Sequence, residues 1–273
     1  MQPISGLVLD IHCHIGPPLL AEEMLRLMDK AGVDKAAVFP TPFVWTLPSP
    51  DNYYNTNDYI ADSQKKYPDR MIGFACVNPW LVGNQSLGMP NIACNELRRC
   101  VRDLGLRGVK LHPENHCFPV DNLCAGEGLC SFMETVVELQ REIKRKIPIL
   151  SHGMTILGGQ PDQFARLAND YPEVNIVIAH GAGFQNLYFA GLGQAKKCPN
   201  LYYDTAMLTV DDAHMLGVVS QVGIEKIIFG SDHFTRAHTN LYGNFFYVLE
   251  RAFPEKSDLD KVLGGNLARI FAV

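Results

Sequence analysis

A (β/α)8 barrel, the TIM-barrel form of the all-parallel α/β class, is what this 273-residue sequence predicts, and three observations predict it. Short apolar runs alternate eight times with amphipathic stretches, and about 250 residues is the usual length of such a barrel. The runs VLDI (8–11), AAVF (36–39), GFACV (73–77), NIVIA (175–179) and KIIFG (226–230) are almost continuously apolar, as parallel strands covered on both faces must be. Polar residues then gather just after the runs, where a barrel keeps its chemistry.

The elements follow in order. Residues 7–11 form the first strand, and 21–30 the first helix, with Met24, Leu25, Leu27 and Met28 on one face and Gly32 as its stop. The remaining strands are expected at 35–39, 71–77, 108–111, 147–150, 175–179, 201–204 and 226–229. Their helices are expected at 57–67, 94–103, 131–144, 162–170, 191–197 (weakly), 212–222 and 245–253, with a helical tail. No linker, repeat or charge block interrupts the pattern, so residues 1–273 read as one domain. A doubly wound open sheet would carry a glycine-rich turn after its first strand; this chain has His12-Cys13-His14 there.

Composition narrows the function. Apolar residues make up 47% and charged residues 19% of the chain, the balance of a folded protein with a large core. A net charge of −5 argues against non-specific nucleic-acid binding and against docking on an anionic membrane. No apolar run approaches the roughly 18 residues of a membrane span. Residues 1–10 lack the basic start and apolar core of a signal peptide, so a cytoplasmic location is expected. The eight cysteines include no C-x-x-C pair and read as reduced, mostly buried thiols. The spacing of Cys117, Cys124 and Cys130 matches no zinc motif.

Six of the nine histidines lie at or just past a strand end: His12, His14, His112, His152, His180 and His233. His12 and His14 are two apart on a strand and point to one face, where two imidazoles can chelate one cation. A third imidazole from His152 and the carboxylate of Asp232 would complete a nitrogen–oxygen shell suited to zinc, with manganese or iron as alternatives. Asp204, at the end of the seventh strand, reads as a supporting carboxylate. Gly153, Gly181 and Gly183 follow the histidines of strands five and six, and glycine there is expected to let the backbone approach a ligand closely. The segment 41–57 carries Phe43, Trp45, Tyr53 and Tyr54; it is read as an aromatic lid or, equally, as a packed loop or the contact of a homodimer. Arg236, in the stretch 234–240, is a candidate for pairing with a substrate carboxylate.

The stretches LDIHCH (9–14), GVKLHP (108–113), ILSHG (149–153), YPEVNIVIAHGAG (171–183), KIIFGSDH (226–233) and GGNLARIF (264–271) resemble the metal-dependent amidohydrolase superfamily from end to end. Within it they are similar to the amidohydrolase-2 group, which includes aminocarboxymuconate-semialdehyde decarboxylase. The resemblance implies that His12, His14, His152 and Asp232 are ligands of a single metal. It implies that His180 activates a metal-bound water as base, and that Asp232 also shuttles a proton. In two-metal relatives His180 and a carboxylated lysine, here Lys110, would serve a second ion; one ion is favoured over two. Lys110, His112 and Arg236 are the substrate-binding candidates. The expected function is hydrolysis of an amide, lactam or lactone of a small molecule by a metal-activated water. The alternative is metal-dependent, non-oxidative decarboxylation of an unsaturated or aromatic acid.

Overall fold

The computed structural model describes residues 6–17, 19–41, 50–82, 91–153, 158–181, 193, 196–206, 212–233 and 241–271. Eight strands form one parallel sheet in sequential order: β1 (Leu9–Ile15), β2 (Lys35–Pro40), β3 (Met71–Cys76), β4 (Gly108–Leu111), β5 (Ile149–His152), β6 (Ile176–Ala179), β7 (Leu201–Asp204) and β8 (Ile227–Ile228). The seam between first and last is bonded by Ile11 N–H to the Phe229 carbonyl (3.0 Å) and His14 N–H to the His233 carbonyl (2.8 Å). The sheet therefore curls into the expected barrel, and no open edge remains at the seam.

The helices are α1 (Ala21–Ala31), α2 (Pro50–Lys66), α3 (Ile92–Arg102), α4 (Cys130–Ile143), α5 (Pro161–Asp170), α6 (Asp212–Val222), α7 (Leu241–Ala252), α8 (Lys256–Asp260) and α9 (Asn266–Phe271). Gly32 ends α1 in the left-handed region, at φ 75°. Asn91 caps α3 by accepting the Cys94 N–H at 2.9 Å. α2 starts at Pro50, seven residues before the periodicity places it. Its anchor is Asn57, fully buried, whose side chain bonds both the N–H and the carbonyl of Cys76 on β3 and donates to Glu96 on α3. That polar clamp carries no hydrophobic period, so the sequence pattern does not register it. Of the expected helix at 191–197, only residues 193, 196 and 197 lie among those described.

The core has two layers. Leu9, Ile11, Phe39, Phe74, Leu150, Val177 and Ile228 fill the barrel interior. Leu267, Ile270 and Phe271 of α9 plug its N-terminal end, with the Phe74 and Phe271 rings 5.8 Å apart. Val8, Cys13, Ile15, Val38 and their neighbours pack outward against the helices. Strand β1 changes phase between these layers. Its register against β2 runs Leu9 with Lys35 and Asp10 with Ala36, then Cys13 with Val38, so Ile11 and His12 together oppose Ala37. This one-residue bulge re-aims the strand: Leu9 and Ile11 face the interior below it, and His12 and His14 face the interior above it. No described helix is long and apolar enough to cross a membrane.

Candidate metal centre

The bulge delivers His12 and His14 to the C-terminal mouth of the barrel, and Asp232 meets them from just beyond β8. Among the described residues, His12, His14 and Asp232 form the group whose ligand atoms all lie within 4.8 Å of one another. Asp232 Oδ1 is 3.2 Å from His12 Nε2 and 3.1 Å from His14 Nε2. All three residues are buried.

Each imidazole is held from behind. His14 Nδ1 donates to the Pro40 carbonyl at 2.8 Å. A carbonyl only accepts, so the proton is on Nδ1 and the Nε2 lone pair faces Asp232. His12 Nδ1 faces Asp204 Oδ2 at 2.7 Å and donates to it, leaving its Nε2 as the second inward nitrogen. Asp204 Oδ1 meanwhile accepts the backbone N–H of His180 (2.6 Å) and of Ala206 (3.0 Å). The Phe39 ring forms the floor, 4.5 Å from the His14 ring and 5.3 Å from that of His12.

The electrostatics call for a cation at this point. The His14 lone pair, the inward His12 nitrogen and an ionised carboxylate converge, with Lys110 Nζ 3.1 Å from that His12 nitrogen, and a divalent ion fits such a donor set. In the chain alone the demand for positive charge falls on His12: burial and the Lys110 charge press its pKa down, yet Asp232 and Asp204 outweigh them and leave it raised. Burial would raise the pKa of Asp232, but His12 and His14 hold it well below the usual carboxylate range. Burial keeps His14 and His180 neutral at pH 7, with pKa values near 4. Burial likewise pushes His152 down, reinforced by His112 and His180.

The other sequence candidates arrange themselves around this group. His152 lies outside the three-residue set and faces it through His180, whose Nε2 is 3.0 Å from His152 Nδ1. His112 stacks on His152, with centroids 3.9 Å apart, and its Nδ1 accepts the Asn115 N–H at 3.2 Å. Lys110 is buried with Nζ 3.1 Å from His12 Nε2 and 4.7 Å from the centre of the Phe39 ring. Burial lowers its pKa to about 8, against the pull of Asp232 and Asp204. His233 turns away from the mouth, its ring 5.4 Å from that of Tyr242. Cys117, Cys124 and Cys130 do not join any metal-binding group among the described residues. Arg236, Gly183 and the aromatic positions Phe43 and Trp45 lie outside the described residues.

Three participants escape sequence reading: the Pro40 carbonyl, the Phe39 floor and Glu114, whose Oε2 sits 3.5 Å from His152 Nε2. A backbone carbonyl has no side-chain signature, and a strand phenylalanine reads as core. Glu114 lies two residues past His112, in the mouth loop where such groups are sought, but nothing in its spacing sets it apart. A Cβ on Gly181 would lie 2.6 Å from Tyr203 Cδ1 and 3.1 Å from the Ile178 carbonyl, so packing between β6 and β7 is by itself a reason for glycine there. Backbone strain does mark the site: His180 (φ 64°) and Asp232 (φ 57°) are two of four described non-glycine residues in the left-handed region. Such positions cost about 1–3 kcal/mol each and concentrate where function needs a side chain aimed.

The chain is similar in structure to dihydroxybenzoic acid decarboxylase from a Polaromonas species, determined with bound manganese and 2-nitroresorcinol (17% identity, 98% of this chain and 97% of that one, TM-score 0.68). It is similar to 5-carboxyvanillate decarboxylase from Sphingomonas paucimobilis (14%, 98% and 100%, TM-score 0.68). It is also similar to 4-oxalomesaconate hydratase from Rhodopseudomonas palustris (16%, 97% and 96%, TM-score 0.68). At these identities the likeness establishes the barrel. The amidohydrolase family model Amidohydro_2 matches residues 9–273, and the chain is a member of that family.

Proposed function

We propose that this protein is a metal-dependent, non-oxidative decarboxylase of a small aromatic or unsaturated carboxylic acid. The observation that carries the reading is Lys110. Its Nζ is buried in the barrel interior, 3.1 Å from His12 Nε2 and over the Phe39 ring. A buried amine that can carry positive charge at this point suits a substrate carboxylate. The rim offers few legible cations in the sequence, which is why hydrolysis reads first there. The names of two similar structures, both decarboxylases of hydroxylated aromatic acids, support the same choice.

His12, His14 and Asp232 would hold the metal, with His152 as the further candidate ligand. When bound, a divalent cation supplies Lewis acidity toward the substrate's anionic oxygens. The donor set suits zinc or manganese, and the manganese of a similar protein favours manganese. One ion is the preferred count, because His12, His14 and Asp232, with His152 as the further candidate, already make a mononuclear set. Decarboxylation breaks the bond between carbon and carboxylate, leaves the electron pair on carbon, releases CO2 and places one proton on that carbon. Lys110 orients the departing carboxylate by charge. Asp232, facing the interior between His12 and His14, is the carboxylate that would relay the proton, taking it up only transiently because both imidazoles keep it ionised. His180, neutral and hydrogen-bonded to His152, exchanges it with the outer part of the mouth.

The test is a substrate panel with metal-loaded protein: hydroxylated benzoates and unsaturated acids followed by CO2 release, lactones and amides by ring opening or amine release. CO2 release from an acid, with KM raised at least tenfold in Lys110→Met, is expected. Turnover of lactones or amides with no CO2 from any acid overturns the proposal.

A further inference from the structure

β1 carries an acid that the metal centre leaves unused. Asp10 lies between Leu9 and Ile11, which fill the barrel interior, so its side chain points to the other face of the strand. It is fully buried there and forms no ion pair among the described residues. A carboxylate in such a place is costly unless donors meet its oxygens, and the donors that Asp10 finds identify its task.

The seam between β1 and the chain beyond β8 leaves regular register beside it. A parallel ladder is evenly spaced. Here the bond from Ile11 N–H to the Phe229 carbonyl is followed by the bond from His14 N–H to the His233 carbonyl, so one side advances from 11 to 14 while the other advances from 229 to 233. Inside that gap the N–H groups of His12 and Ser231 turn to a side chain. Asp10 Oδ1 accepts the His12 N–H at 2.9 Å and the Ser231 N–H at 3.0 Å, and Oδ2 accepts the Ser231 hydroxyl at 2.6 Å. His12 is a candidate ligand, and Ser231 immediately precedes another, Asp232, held at φ 57°. From the other side Thr205, just past β7, fixes Gly230: its Oγ1 accepts the Gly230 N–H at 3.1 Å and donates to the Gly230 carbonyl at 2.9 Å. Asp10 thus joins the two ligand-bearing segments where the ladder is broken. Cys13 Sγ, 3.8 Å from Ser231 Oγ and 3.7 Å from the Tyr242 hydroxyl of α7, packs over this clamp.

We propose that Asp10 is a positioning residue of the metal centre, fixing His12 relative to Asp232 by bridging two backbone N–H groups. It acts by acceptor geometry, not by its charge and not by binding the ion. The inference rests on the reading of His12, His14 and Asp232 as the metal-holding set. Asparagine can take the same place: its Oδ1 keeps both N–H bonds, its NH2 donates to Ser231 Oγ, and the Ser231 hydroxyl turns to the His12 carbonyl, already 3.5 Å away. Glutamate keeps the charge but is one methylene longer in a fully buried site, so its oxygen cannot stay where both N–H groups point.

Affinity for Mn2+ and Zn2+, measured on the metal-depleted full chain by chelator competition, tests this apart from catalysis, with thermal unfolding of the metal-free protein as the control for the fold. Asp10→Asn is expected to bind within threefold of the parent, and Asp10→Ala and Asp10→Glu at least tenfold more weakly, the scale typical of losing a group that supports metal ligands. Equal weakening in Asp10→Asn and Asp10→Ala would assign Asp10 a charge or ligand role and overturns the proposal. So does affinity in Asp10→Ala within twofold of the parent. Should Asp10→Ala not fold, the other two variants decide, and tighter binding by Asp10→Glu than by Asp10→Asn overturns it. A parent that binds neither ion overturns the metal reading and the proposal with it; a parent that binds, without this ranking of variants, overturns the proposal alone.

Discussion

Asp204→Asn isolates the support behind the metal centre with almost no change in shape. The two oxygens of Asp204 have different tasks: Oδ1 accepts the N–H groups of His180 and Ala206, and Oδ2 accepts from His12 Nδ1 at 2.7 Å. Two backbone donors dictate that the asparagine oxygen takes the Oδ1 position. The amide NH2 must then face His12 Nδ1. A donor there forces the opposite imidazole tautomer, with the proton on Nε2, and Nε2 is the nitrogen turned toward Asp232 and His14. The inward lone pair is lost, and so is the negative charge that favours a cation. Removing such a partner behind a metal-binding histidine typically costs 10–100-fold in affinity, or about 1.4–2.7 kcal/mol. The assay is competition with a chelator of known affinity, read as metal per chain by elemental analysis, with the unfolding midpoint of the metal-depleted protein as a control for the fold. Metal affinity within twofold of the parent would show that Asp204 does not set the His12 tautomer.

Other expectations follow from the same geometry. His180→Ala should keep its metal and lose about 10²–10⁴-fold in turnover; unchanged turnover would remove His180 from the proton path, and loss of metal would make it a ligand. Gly181→Val should lower stability by about 1–3 kcal/mol through overpacking against Tyr203 and the Ile178 carbonyl, seen as a lower Tm, and an unchanged Tm would contradict the packing assignment. Glu96 is buried and accepts from Asn57 Nδ2 at 2.8 Å and from Arg99 at 2.7 and 2.9 Å. Glu96→Ala should therefore cost about 2–3 kcal/mol in urea unfolding, and a shift below 0.5 kcal/mol would show that the Asn57–Glu96–Arg99 clamp contributes little.

The barrel was legible in the chain because its signals are local and periodic. Eight apolar runs spaced by amphipathic stretches admit few arrangements when every strand must be covered on both faces. The histidines and Asp232 were legible for a related reason: an ionisable group at the end of a buried strand interrupts the pattern, and the interruption is itself visible. What joins them was not. The bulge at Ile11 and His12 is a register relation between β1 and β2, and no single strand carries it. The acceptor on His14 is the carbonyl of Pro40, a backbone atom of another strand. Lys110 stands out in the sequence as a substrate-binding or bridging candidate, but only the fold places it buried beside His12 and over Phe39, where desolvation lowers its pKa. Residue types and their order thus determined the architecture and the inventory of the site. Pairing between distant strands decided which groups meet, which nitrogen of each imidazole faces inward and which charge is left facing the interior, because hydrogen bonding and desolvation depend on neighbours in space and not in sequence.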